Sequence, residues 1–120
     1  MPKYMMLLHS KPGNWDHLSP EEIQQIVEKY RKWLEQIHAS GHYVVSDKLQ
    51  DEGGKIVSLN EGRVTVVDGP YGESKEVIGG YFTLRAGSYE EAVAIARDSP
   101  FLQSGPIHIR ETDPMGCGEE

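Results

Sequence analysis

Between Tyr4 and Leu8 the chain reads YMMLL, five apolar residues in succession with nothing polar among them. A strand wet on one side alternates apolar and polar residues, and a surface helix repeats its apolar positions every three or four. A short unbroken run does neither and suits a strand covered on both faces. Any fold built around this strand must therefore supply cover twice, once on each side of a sheet.

The segment that follows opens a helix. Ser19 is placed to cap, Pro20 suits the first helical position, and Glu22 completes a capping box. Ile23, Ile26, Val27, Tyr30, Leu34 and Ile37 recur at helical spacing, with Trp33 at the edge of the stripe. Gly41 stands where a left-handed residue closes a helix, so the spacing predicts a helix over 20–39. Beyond it HYVVSDKL reads as a strand, and KIVSL and RVTVV read as a hairpin around Asn-Glu-Gly. DGPYGESKE is a polar loop, and VIGGYFTLRA is a strand bulged at Gly79 and Gly80. Ser88 and Glu91 form a second capping box before an apolar face of Tyr89, Ala92, Val93, Ile95 and Ala96, and Pro100 ends that helix. In IHIRE, Ile107 and Ile109 take one face and His108 and Arg110 the other.

Strand, helix, strand, hairpin, strand, helix, strand is the order of an α+β fold, the ferredoxin-like β-α-β-β-α-β plait with a β-hairpin insertion. It occupies 1–112 as a single domain, and 113–120 forms a flexible acidic tail. Both helices of such a plait lie on one face of the sheet. The second cover demanded by the first strand is then expected from another copy, the two sheets pairing as a dimeric α+β barrel.

Composition excludes several functions. With 12 basic against 19 acidic residues the net charge is −7, which argues against a nucleic-acid partner. No apolar run approaches the ~20 residues of a membrane span, and Tyr4–Leu8 is too short for a signal-peptide core. The single Cys117 allows no internal disulfide and no cysteine-based metal cluster, so a cytoplasmic protein is expected. No phosphate loop, dinucleotide fingerprint, Ser-His-Asp set or zinc helix motif occurs, and no cofactor is called for.

The residues able to carry chemistry fall in three groups. Asp68, Glu73, Lys75 and Glu76 crowd the polar loop, where a carboxylate near Lys75 and partly desolvated can act as acid or base. The alternative is an ion-pair cluster that locks the loop or a dimer. His9 ends the first strand, and in the plait the last strand starts beside it. His9 and His108 are therefore expected to be neighbours, with Arg110 on the same face, able to bind an anion or provide a general base. Two histidines alone make a poor metal site, and no metal is expected. Tyr30 and Trp33 read as core aromatics, with a pocket wall as the alternative.

The stretch DGPYGESKEVIGGYF resembles the YCII-related family in its DGPF-motif branch. The matching positions are Asp68, Gly69, Pro70, Tyr71 in place of the usual Phe, Glu73, Lys75, Glu76, Gly79, Gly80 and Tyr81. KYMMLL at the start, Ala-x-Gly after the first helix, and EEAVAIA before Pro100 extend the resemblance over nearly the whole chain. It implies a homodimer with a small-molecule pocket between sheet and motif loop, and an acid–base, lyase-like activity on a small organic molecule. Asp68, Glu73, Lys75, Glu76 and His9 would be catalytic, and His108, Arg110, Tyr30, Trp33 and Tyr71 would bind the ligand. The alternative it implies is a non-catalytic regulatory module serving an extracytoplasmic-function sigma factor. Relatives proposed as enzymes pair a first-helix histidine with an aspartate, and here the histidine position is Tyr30.

Overall fold

The computed structural model describes residues 1–10, 16–50, 53–69 and 77–115. Along them run β1 (Lys3–Ser10), α1 (Pro20–Ala39), β2 (Tyr43–Lys48), β3 (Lys55–Asn60), β4 (Arg63–Asp68), β5 (Val77–Arg85), α2 (Tyr89–Arg97) and β6 (Ile107–Glu111). Four strands form one sheet in the order β2-β5-β1-β6, with every neighbouring pair antiparallel. This is the plait read from the sequence, and β1 is one of its two central strands.

Local chemistry fixes the helix ends. At α1 the Glu22 N–H donates to Ser19 Oγ (3.1 Å) and the Ser19 N–H to Glu22 Oε1 (2.8 Å), a complete capping box. Gly41 follows the helix at φ +83°. The box expected at α2 is corrected to half of one. Ser88 Oγ accepts from the Glu91 N–H (3.2 Å), but the Glu91 carboxylate takes the N–H of Gly87 instead (2.6 Å). The cap residues differ in backbone, φ being −76° at Ser19 and −164° at Ser88. Pro100 does stop α2, and it also begins a 3₁₀ turn, Pro100–Gln103, capped by Ser99 Oγ.

The core lies between the two helices and one sheet face. Tyr4, Met6 and Leu8 of β1 are buried there with Phe82 and Leu84 of β5. Trp33, expected at the edge of the α1 stripe, is central to it. Its indole stands edge-on to Phe82 (5.1 Å between centroids), and its N–H donates to the Ile95 carbonyl of α2 (3.1 Å). Val27 is displaced to the flank, 42% exposed. Met5 and Leu7, on the opposite face of β1, are only half-buried, and among the described residues no helix covers that face.

Two glycine features shape β5. Leu8 pairs with Gly80 but His9 pairs with Ile78, so Gly79 is an extra residue, the bulge expected there. A Cβ at Gly80 would come within 2.9 Å of the Asp47 carbonyl oxygen, so a side chain would push β2 away. Among the described residues the hairpin β3–β4 pairs only with itself. Glu61 (φ +50°) and Gly62 (φ +80°) both take the positive angles of a two-residue type I′ turn. Among the described residues no helix is long and apolar enough to cross a membrane.

Candidate functional site

Where β1 and β2 end and β5 begins, the helix-side face opens into a cavity of about 250 Å³. Tyr30 from α1, Phe101 from the 3₁₀ turn and Phe82 from β5 form its aromatic walls. Leu8, Gly79, Gly80 and the end of β2 from Ser46 to Lys48 complete it. The rings brace one another, Tyr30 standing edge-on to Phe101 at 5.0 Å and to Phe82 at 6.5 Å. Ser46 Oγ is hydrogen-bonded to the Tyr43 hydroxyl (2.8 Å). The Tyr30 hydroxyl makes no hydrogen bond among the described residues. Burial, and secondarily the Tyr43 phenol nearby, raise the Tyr30 pKa above the usual tyrosine value. Tyr30 is therefore a neutral hydroxyl at physiological pH on the wall of the cavity.

The uncovered face of the sheet carries a second group of polar residues. Cross-strand register sets Asp47, Tyr81, Leu7 and His108 in one row, with Arg110 opposite Met5 in the next. The Tyr81 hydroxyl donates to Asp47 Oδ2 (2.8 Å), and this bond, with burial second, raises the Tyr81 pKa. His9 and His108 are neighbours, as the topology predicts, with ring centroids 6.5 Å apart. Gly105 keeps that end closed. Its N-terminal approach leaves no room for a Cβ against the His9 carbonyl, while the His9 N–H donates to the Pro106 carbonyl (3.0 Å).

The sequence candidates thus separate. Tyr30 lines the cavity, whereas Trp33 is 4% exposed, belongs to the core and lines no part of it. His9, His108 and Arg110 lie across the sheet from it. Asp68 closes the base of the hairpin in an ion pair with Lys55 Nζ (2.5 Å), its side chain 88% exposed. Tyr71, Glu73, Lys75 and Glu76 lie outside the described residues. Ser46, Asp47, Tyr81, Phe82 and Phe101 were not among the candidates. The one signal for them was the polar Ser-Asp-Lys end of an otherwise apolar strand. Among the described residues no three histidine, cysteine, aspartate or glutamate side chains converge as metal ligands.

A family model described as YCII-related domain matches residues 2–115. Among curated proteins none matches the chain. One solved structure that it resembles is a 5-chloro-2-hydroxyhydroquinone dehydrochlorinase from Burkholderia phenoliruptrix, in complex with 2,5-dihydroxybenzoquinone. The two superpose with a TM-score of 0.55 at 13% identity, over 98% of this chain and 99% of that one. At such identity the likeness is one of fold.

Proposed function

The chain belongs to the YCII-related domain family, and from that premise we propose that it binds a small oxygen-bearing organic ring in the cavity beneath Tyr30. The observation that carries this reading is the cavity itself, three aromatic rings around a space with one phenol that makes no hydrogen bond among the described residues. Its volume is below the roughly 300 Å³ at which pockets for drug-sized ligands begin, which leaves room for a single ring. Edge-on aromatic walls suit a flat ligand, and the Tyr30 hydroxyl suits a carbonyl or hydroxyl oxygen on it. The structural neighbour, an enzyme solved with a dihydroxybenzoquinone, supports the same chemical class.

The activity we propose is an acid–base elimination. A base removes a proton from a carbon beside a carbonyl, the C–H electrons form the new double bond, and the leaving group departs with its bonding pair. Tyr30, neutral and on the cavity wall, would hydrogen-bond the oxygen on which charge develops. The motif residues Glu73, Lys75 and Glu76 are proposed to supply the proton-transfer group. What supports them is connectivity, since their segment enters β5 at Val77, two residues before Gly79 of the cavity wall. We further propose that the chain works as a cytoplasmic homodimer joined through the uncovered sheet face, where Met5 and Leu7 lack cover of their own.

Calorimetric titration with 2,5-dihydroxybenzoquinone tests the binding step. Wild type should bind it saturably, and Tyr30→Phe should weaken it about tenfold, the worth of one hydrogen bond of about 1.4 kcal/mol. No saturable binding up to about 1 mM, or an unchanged constant in Tyr30→Phe, would remove the ligand from this cavity.

A further inference from the structure

The β3–β4 hairpin has an apolar face that nothing among the described residues covers. Val57 stands opposite Val66, and Leu59 opposite Val64. These four side chains share one face and are 66%, 59%, 71% and 68% exposed in that order. Among the described residues neither strand hydrogen-bonds to the main sheet, and neither packs extensively on another element. A lone two-stranded hairpin is marginal in water, so an apolar face this bare needs a surface to rest on.

The dimensions of the molecule indicate how much surface is missing. Its accessible area is 8695 Å², where a folded monomer of 13.5 kDa exposes about 6,500 Å². The radius of gyration is 16.5 Å against about 13.6 Å for a compact domain of this length. The excess of about 2,200 Å² lies within the share of about 1,000–2,500 Å² that each chain buries in an obligate homodimer. The uncovered sheet face is already half-shielded at Met5 and Leu7, so the hairpin carries the larger debt per residue. Charge agrees with a like partner. Two chains of net charge −7 repel, but on this face Asp68 is neutralised by Lys55 and every other side chain is aliphatic.

We propose that the hairpin is an intersubunit arm whose Val57, Leu59, Val64 and Val66 face packs on a second copy of this chain. Repeated by a two-fold axis, each copy gives one arm and receives one, and the contact closes at the dimer. The arm is a separate contact from the sheet-to-sheet pairing and independent of the cavity.

Sedimentation equilibrium of the full chain tests it with the pair Leu59→Lys and Val64→Glu. Directly opposed, these charges attract and preserve the hairpin while removing the apolar face. The dimer dissociation constant should rise at least about 30-fold, and Ser58→Ala on the other hairpin face should leave it within about threefold. An unchanged constant in the charge pair, or a wild type that is monomeric at about 100 µM, overturns the arm and leaves the face to another partner. Hydrogen exchange of the wild type provides a reading that needs no variant. Amides of Val57–Leu59 and Val64–Val66 should exchange at least about tenfold more slowly well above the dissociation constant than below it. Equal rates at both concentrations overturn the arm even if the sheet faces dimerise.

Discussion

Trp33 does three things at once that no smaller side chain can do. It fills the centre of the core, sets Phe82 edge-on, and satisfies a carbonyl of the other helix. Trp33→Phe keeps part of the volume but loses the indole bond to the Ile95 carbonyl, which keeps the Asp98 N–H (3.3 Å), and should cost about 1 kcal/mol in urea unfolding. Trp33→Ala should cost about 3–5 kcal/mol by the same measurement. If both cost under about 0.5 kcal/mol, as surface substitutions do, Trp33 does not join the helices. At this scale sequence alone is a partial guide. Tyr30 could be picked out because its helical position is fixed by neighbours three and four residues away. Asp47 and Tyr81 could not, because 34 residues separate them and only strand register brings their oxygens together.

Elements with local signals are the ones that can be read most directly. α1 begins at Pro20 and ends at Ala39 as predicted, because its cap, its proline and Gly41 are each encoded within a few residues. The hairpin is equally local, Glu61 and Gly62 providing its turn. α2 shows the limit, since the sequence Ser-x-x-Glu names the two partners but not which N–H the glutamate reaches. The α1 box makes a pH-dependent prediction. The Ser19 N–H and then the Ser19 hydroxyl hold the Glu22 carboxyl below the usual glutamate range. Its contribution is whole above the pKa of the unfolded chain and disappears as pH falls through the lower folded value. Ser19→Ala should cost about 1 kcal/mol at neutral pH. Glu22→Gln should destabilise at neutral pH and approach wild type in denaturant unfolding as Glu22 becomes protonated at falling pH. Denaturant titrations across that range check the convergence, and a parallel pair of curves would deny the box its charge.

At the scale of the whole molecule the governing fact is the YMMLL run. Tyr4, Met6 and Leu8 are satisfied within the chain, whereas Met5 and Leu7 are not. The run showed that two covers were needed, and periodicity could not tell which one the helices provide. The cavity was less legible still, because its walls come from five separate segments that only the plait assembles. If folding is completed by association, the melting temperature should rise with protein concentration. Scanning calorimetry across a hundredfold range, about 1 to 100 µM, should show an upward shift of several degrees, and a constant value would mean that the monomer is complete alone.

The extra residue at Gly79 has a consequence for how this chain tolerates change in length. Upstream of it β5 runs out of phase with the strand downstream, so Ile78 shares a face with His9 rather than with Gly80. A deletion within the preceding polar loop changes only its span, as loops usually permit. A deletion of Gly79 itself restores regular alternation and leaves Ile78 opposite His9. A deletion of Ile78 with the bulge kept would instead bring Val77 opposite His9 and turn its side chain to the other face of the sheet. Register, more than composition, therefore decides which side chains at the start of β5 face the helices.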